Sequence, residues 1–170
     1  IEIMIDGEEI DVYLVFPQSY EPGDVVPAVI ETGGVDGLMT IGFAEYLLQW
    51  NAEDIAWVGF DLPGHGTSAG ITNTVETDRL HLAVIQRLQE HEGIDDQNIF
   101  VYGRSFGGTT ALRLVALHGD ELDLGGVASF GAVGELAFAD PDTVDHMPAM
   151  TRNAFARMFG LDPNDREGIV

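Results

Sequence analysis

The stretch IFVYGRSFGG, residues 99–108, decides the fold that this chain can adopt. Its first four residues form an apolar run, which is typical of a strand covered on both faces. A nearly all-apolar run follows over residues 109–118 and predicts a helix. Between the two, the chain must turn sharply at Ser105, and such a turn needs small neighbours, a requirement that Gly103 and Gly107 meet. The spacing therefore predicts a buried strand, a strained turn and a helix in direct succession.

The same spacing predicts a chemical role for Ser105. A strand-to-helix turn holds the serine hydroxyl above the sheet, and the following helix directs free backbone N–H groups at the same point. We therefore expect Ser105 to be a nucleophile and the N–H group of Phe106 to stabilise an oxyanion. The alternative interpretation is a glycine-bordered turn that contains a serine by chance.

A second oxyanion donor is expected in the loop ETGGVDG, residues 31–37. This loop follows an apolar run at residues 25–30, and its glycines allow the backbone to approach a ligand closely. The N–H group of Gly34 or Val35 can then face the same oxygen as the N–H group of Phe106. A flexible turn without a catalytic role is the alternative.

Strand and helix patterns alternate along the chain from residue 25 onward. Before that point, an Asp-Gly turn between two β patterns predicts a hairpin. The alternation favours a mostly parallel sheet, right-handed crossovers and helices on both faces, which together make a three-layer α/β fold with an N-terminal β-hairpin. The strands are predicted at residues 1–5, 10–16, 25–30, 55–60, 99–102 and 127–130, and the helices at residues 41–50, 74–91, 109–118 and 148–159.

A further segment, DLPGHGTS at residues 61–68, follows a predicted buried strand and carries a family resemblance. The chain resembles the α/β-hydrolase superfamily, in which D-x-P-G-x-G-x-S commonly follows the fourth strand. Residues 33–37, 103–108 and 147–152 are similar to the esterase group related to the fermentation–respiration switch protein. The resemblance covers essentially the whole chain. It implies an esterase, although some relatives cleave carbon–carbon bonds next to a ketone and some are peptidases.

A catalytic triad in this fold needs an acid and a histidine on the C-terminal side of the serine. In the resembling proteins both follow later strands, so we expect this chain to be a fragment that is inactive alone and whose sheet is incomplete at its C-terminal side. Residues 1–134 are predicted to be the N-terminal portion of the hydrolase core, and residues 135–170 a lid or cap-like segment. One more packing helix is the alternative for the second segment. A triad acid within it, among Asp140, Asp142 and Asp145, is a further alternative.

The five histidines are weak candidates for the base. By resemblance, His65 belongs to a structural loop, and it also precedes the serine in sequence. His81 and His91 are predicted to lie on a helix with solvated side chains. His118 is expected to end its helix, where a cation favours the helix dipole. His146 lies in the predicted lid, and it stays open with His65 as an alternative base.

Two residues depart from common esterase patterns. Thr32 stands where many esterases have the histidine of an H-G-G run. Arg104 lies directly before the nucleophile, where its guanidinium group can pair with a substrate carboxylate or form a structural salt bridge. Both alternatives for Arg104 remain open at the level of sequence.

These residues together predict a serine hydrolase that cleaves an ester or related acyl bond of a small molecule through an acyl-enzyme on Ser105. The alternatives are a non-catalytic member of the fold that binds a protein partner, and a carbon–carbon hydrolase or peptidase of the same fold. No metal or organic cofactor is implied. We expect a cytoplasmic protein without a nucleic-acid or membrane partner, and the sequence leaves its oligomeric state open.

The charge of the chain is unusual. It contains 29 Asp and Glu residues against 7 cationic residues, all arginine, which gives a formal net charge of −22 over 170 residues. Such a charge disfavours contact with nucleic acid and destabilises a compact domain through self-repulsion. Because the acids are spread along the chain, we interpret them as a halophilic adaptation to molar salt, with an acidic partner-binding surface as the alternative.

The salt interpretation predicts that the melting temperature rises steeply between low salt and molar KCl. At molar salt the Debye length falls to about 3 Å, so repulsion among the acidic side chains is screened. Calorimetry over a KCl series checks this. A melting temperature that does not change with salt would contradict the adaptation and favour the acidic partner surface.

Overall fold

The computed structural model of this chain describes residues 2–5, 8–34, 44–66, 68 and 74–132. Over these residues the chain forms strands and helices in the alternating order that the sequence predicts. The strands are β1 (Glu2–Ile5), β2 (Glu8–Val15), β3 (Val26–Thr32), β4 (Ala56–Phe60), β5 (Ile94–Arg104) and β6 (Gly126–Phe130), and the helices are α1 (Ala44–Ala52), α2 (Thr74–Gln89) and α3 (Phe106–His118).

The six strands described form one sheet with the order β1-β2-β4-β3-β5-β6. β1 and β2 make an antiparallel hairpin, and β2 joins the rest of the sheet antiparallel to β4. β3 pairs in parallel with both β4 and β5, and β6 pairs in parallel with β5. This confirms the predicted mostly parallel sheet with an N-terminal hairpin. Because parallel strands share a carboxyl edge, the ends of β3 and β5 lie side by side, with Thr32 opposite Gly103.

Helices cover both faces of the sheet, as the sequence predicts. Side chains alternate between the two faces along each strand. Ile30, Val58 and Val101 lie on one face and belong to the large hydrophobic core that includes residues of α2 and α3. Val29 and Trp57 lie on the opposite face, where residues of α1 pack against them. The result is a three-layer α/β arrangement.

β5 begins five residues earlier than its apolar pattern indicates. The polar segment at residues 95–98 hides its start, since the register passes from Val26 opposite Ile94 to Ala28 opposite Ile99. Within this irregular segment, the Asp95 carboxylate accepts hydrogen bonds from the Gln97 N–H and from the Asn98 side chain. A bulge of this kind breaks the period-two pattern on which the prediction relied.

β6 is one of the two edge strands of the sheet that the structure describes, and it lies next to β5. The sequence predicts a buried strand here, but Ala128, Ser129 and Phe130 are exposed, with Phe130 66% exposed. The predicted lid at residues 135–170, with its predicted helix, lies outside the described residues. Within the described part of the chain, none of the helices combines the length and the apolar character needed to cross a bilayer.

An ion pair joins the two helices on the same face of the sheet. The guanidinium group of Arg113 on α3 donates from two nitrogens to the Asp78 carboxylate on α2, at 2.9 and 3.2 Å. The Asp78 side chain is only 9% exposed and the Arg113 side chain 30% exposed. Removing one partner of an ion pair in this partly buried position costs more stability than removing one partner of a surface pair.

We therefore expect Asp78→Ala to lower the free energy of unfolding by about 2 kcal/mol, because Arg113 keeps its charge and loses both hydrogen bonds. The matched control is Glu90→Ala, which removes a 3.7 Å pair with Arg87 between side chains that are 73% and 49% exposed. That control should cost less than about 1 kcal/mol. Urea denaturation of both variants measures the difference, and equal losses would contradict it.

Candidate active site

Ser105 occupies a strained turn between the end of β5 and the start of α3. Its φ is 56° and its ψ is −119°, a region that residues with a side chain rarely adopt. Its N–H group donates to the Phe130 carbonyl oxygen at 2.9 Å, and its own carbonyl oxygen accepts from the Thr109 N–H at 3.1 Å. The hydroxyl makes no capping hydrogen bond to α3. The backbone is thus held on both sides, and the Oγ atom is left out of the capping of the helix.

The two glycines of the turn are required by close backbone packing. A Cβ atom on Gly103 would overlap the Gly107 carbonyl group and lie 2.7 Å from the Gly108 nitrogen. A Cβ atom on Gly107 would overlap the Thr32 carbonyl oxygen. The first of these contacts closes the turn on itself, and the second presses the start of α3 against the end of β3. The spacing of small residues around Ser105 therefore has a direct steric cause.

The loop after β3 lies directly beside Ser105. The Gly107 N–H donates to the Gly33 carbonyl oxygen at 3.1 Å. A Cβ atom on Gly34 would lie 3.4 Å from Ser105 Cβ and 3.7 Å from Ser105 Oγ. The structure thus brings Gly34 to Ser105, whereas Val35 lies outside the described residues. Since the Gly107 N–H is engaged, the candidate donor from the first turn of α3 is Phe106.

His81 corrects one expectation from the sequence, because its side chain is completely buried rather than solvated. Its Nδ1 lies 2.7 Å from the Thr77 carbonyl oxygen, and its Nε2 lies 2.5 Å from Thr32 Oγ1. Burial lowers the pKa of His81 to about 4, so the ring is neutral near pH 7. The sequence contained a signal, since His81 lies four residues before Ile85 on the apolar face of α2.

Glu31 is a second buried polar residue at the end of β3, on the opposite face from Thr32. Its carboxylate accepts a hydrogen bond from the Trp57 indole N–H at 2.8 Å. Burial raises the pKa of Glu31, against the opposing effects of Trp57, Arg104 and Trp50. The Trp50 indole N–H makes no hydrogen bond of standard geometry within the described residues. The last two residues of β3 are therefore held by buried polar contacts on both faces.

Arg104 is exposed at the end of β5, directly before Ser105. Its charge lies close enough to Glu31 to lower the pKa of that carboxyl group. This effect on the pKa of Glu31 is weaker evidence than an ion pair, so a structural salt bridge of Arg104 stays a prediction. Pairing of Arg104 with a substrate carboxylate stays a prediction.

His65 lies in a turn that is closed by local hydrogen bonds. Its N–H donates to the Leu62 carbonyl oxygen, and its carbonyl oxygen accepts from the Ser68 N–H, both at 2.9 Å. The Ser68 hydroxyl donates to the Asp61 carbonyl oxygen at 2.8 Å. These contacts agree with the structural loop that the resemblance implied for His65.

The remaining histidines lie away from helix interiors or outside the described residues. His118 closes α3, as predicted. His91 follows α2 and is half-buried, because its ring packs 5.7 Å from Phe16 and accepts a hydrogen bond from the Gly93 N–H. The expectation of a solvated His91 was therefore wrong as well. His146 and the three candidate acids near it lie outside the described residues.

No cluster of three or more histidine, aspartate or glutamate side chains suited to a metal ion occurs among the described residues. The site therefore consists of the Ser105 hydroxyl group and of backbone groups from the two glycine-containing segments beside it. Such an arrangement suits nucleophilic attack by an oxygen with backbone stabilisation of the product oxyanion.

A mostly parallel sheet, with a strained serine between a parallel strand and the helix that follows it, defines an α/β-hydrolase. Within that superfamily, the chain belongs to the FrsA-like esterase family, whose sequence model matches residues 2–169. It is 26% identical over 160 residues to esterase FrsA of Photobacterium profundum, covering 94% of this chain and 37% of that protein. The chain therefore spans little more than a third of the length of this curated relative.

Solved structures give the same fold. The crystal structure of a 2,6-dihydroxy-pseudo-oxynicotine hydrolase is 26% identical with a TM-score of 0.74, covering 95% of this chain and 43% of that one. The structure of Est1E from Butyrivibrio proteoclasticus with bound ferulic acid is 24% identical with a TM-score of 0.63, covering 73% of this chain and 50% of that one. The second likeness concerns the fold alone.

The contact between α3 and β3 predicts that Gly107→Ala lowers the free energy of unfolding by at least about 2 kcal/mol, because the new methyl group has no space beside the Thr32 carbonyl oxygen. The control is Gly126→Ala, where a Cβ atom would make an ordinary 3.4 Å contact with the Phe100 ring. That change should cost less than about 1 kcal/mol. Urea denaturation compares the two, and a tolerated Gly107→Ala would show that the close approach is absent.

Proposed function

We propose that this chain carries the nucleophile and the oxyanion-binding groups of a serine esterase that acts on a small acyl substrate. The observation that carries the proposal is the position of Ser105. Its side chain extends from a strained turn at the N-terminus of α3 and lies beside Gly34. A Cβ atom on Gly34 would lie 3.4 Å from Ser105 Cβ and 3.7 Å from Ser105 Oγ. The FrsA-like family and the α/β-hydrolase fold support an ester or related acyl bond as the target.

In the proposed reaction, Ser105 Oγ attacks the carbonyl carbon of the substrate and forms a new C–O bond. The electron pair of the carbonyl double bond moves to the oxygen, which becomes an oxyanion. We assign the Phe106 N–H and an N–H group of Gly34 or Val35 to that oxyanion. The tetrahedral intermediate then collapses to an acyl-enzyme and releases the alcohol, and water cleaves the acyl-enzyme in a second cycle.

The proton of Ser105 requires a base. We propose that a histidine takes this proton and returns it to the leaving alcohol, and that an acid orients the histidine. In the order usual for this fold, both follow the serine in sequence. This chain spans 37% of the length of the Photobacterium relative. We therefore place the histidine and the acid in later segments of the full-length protein. Asp140, Asp142, Asp145 and His146 remain the alternatives within the chain.

A non-catalytic partner-binding protein is the second candidate, and the geometry of Ser105 argues against it. A positive φ at a residue with a side chain costs of the order of 1–3 kcal/mol. A binding surface gains nothing from that strain, whereas an exposed nucleophile requires it.

The acidic composition supports a separate proposal, that the enzyme is adapted to molar salt.

In the intact protein, Ser105→Ala should reduce kcat for a small activated ester by at least about 10⁴-fold, because no other group replaces the attacking oxygen. A fluorophosphonate probe should label the wild type at Ser105 and leave Ser105→Ala unlabelled. The control is Ser19→Ala, which removes an exposed hydroxyl bonded to Asp54 and should leave both readouts unchanged. Undiminished turnover in Ser105→Ala would refute the assignment.

A further inference from the structure

His81 is a fully buried histidine that contacts Thr32, the residue directly before the Gly33–Gly34 segment beside Ser105. His81 has no exposed surface, and the ring of Phe60 packs edge-on against it with the ring centroids 4.9 Å apart. Burying a polar ring in an apolar core is unfavourable unless both of its nitrogens have partners. Both do, with Thr77 on one side and Thr32 on the other.

The partners of the two nitrogens fix the direction of both hydrogen bonds. The Thr77 carbonyl oxygen can only accept, so Nδ1 carries the proton and donates. Nε2 is then an acceptor, and the Thr32 hydroxyl donates to it. Thr32 is therefore anchored to α2 through its side chain, while its backbone belongs to β3.

The anchored residue continues directly into the proposed oxyanion loop. Thr32 is followed by Gly33, whose carbonyl oxygen accepts from the Gly107 N–H, and by Gly34, which packs against Ser105. Neither glycine has a side chain that could hold the loop in place. Its position is therefore set by the end of β3 and by the contact with α3.

We propose that His81 is a positioning residue, which fixes the Gly33–Gly34 segment beside Ser105 through its hydrogen bond to Thr32. This inference rests on the proposed function, since it gives that segment a role in stabilising the oxyanion. On the opposite face, the bond between Glu31 and Trp57 holds the preceding residue of β3. The two buried bonds act on consecutive residues from both sides, so the strand end cannot rotate toward either face.

The test compares three substitutions in the intact protein with a small activated ester. Thr32→Val keeps the shape of the side chain and removes the hydroxyl, so kcat should fall about tenfold or more while KM stays within about twofold. Thr32→Ser restores the hydroxyl and should recover most of kcat. Ile85→Val is the control for lost stability, because Ile85 is a fully buried residue on the same helix and takes no part in the proposed hydrogen bond to Thr32.

Amide hydrogen exchange provides a readout that is independent of turnover. In Thr32→Val, the amide of Gly107, which donates to the Gly33 carbonyl oxygen, should exchange at least about tenfold faster than in Ile85→Val, because the anchor of the strand end is lost. Nitrogen NMR of the wild type should show His81 as the neutral tautomer with its proton on Nδ1.

The outcomes separate the two proposals. Unchanged exchange and unchanged kcat in Thr32→Val, or an equal loss in Ile85→Val, would overturn the positioning role. A kcat loss that Thr32→Ser does not recover would also overturn it. If the wild type does not turn over esters at all, the proposed function fails, and faster exchange of the Gly107 amide in Thr32→Val would still establish that the bond to His81 positions the Gly33–Gly34 segment.

Discussion

The structure of the candidate site depends on one close approach between two backbones. The first turn of α3 lies against the end of β3 so closely that a single Cβ atom on Gly107 would overlap the Thr32 carbonyl oxygen. This approach places the N-terminus of α3, the end of β5 and the loop after β3 around one point. The sheet order makes it possible, because β3 and β5 are parallel neighbours whose carboxyl ends meet at the same edge. Any residue larger than glycine at this crossing would separate the serine from the groups that surround it.

The strain at Ser105 is sustained by contacts that come from several elements. Its unfavourable φ is offset by hydrogen bonds to Phe130 at the end of β6 and to Thr109 within α3. The Ser129 hydroxyl on β6 also donates to the Gly108 carbonyl oxygen at 3.1 Å. β6 therefore supports the turn as well as extending the sheet. A strained residue persists only where its surroundings determine its conformation in this way.

The sequence predicted those parts of the structure that follow from local spacing. The glycines around Ser105 and the apolar runs beside them determined the strand, the turn and the helix, because each of these is set by neighbouring residues. The start of β5 was missed because the bulge over residues 95–98 replaces apolar alternation with polar side chains. The burial of His81 and its contact with Thr32 were missed for another reason. Its position on the apolar face of α2 could have indicated burial, but its partner Thr32 lies 49 residues away, and only the fold brings the two together.

The two halves of the proposed site differ in how they are assembled. The half described here consists of a serine, backbone groups and buried hydrogen bonds, and its geometry is set by contacts among β3, β5, β6 and the N-terminus of α3. In the proposed reaction the base and the acid are side chains, and their position relative to Ser105 depends on the packing of the segments that carry them. Electrostatic stabilisation by fixed backbone groups requires no movement during the reaction, and for that reason it depends on a rigid scaffold. Under the proposed function, the buried hydrogen bonds of Glu31 and Thr32 supply that rigidity on the oxyanion side, where the glycines of the loop have no side chains to supply it.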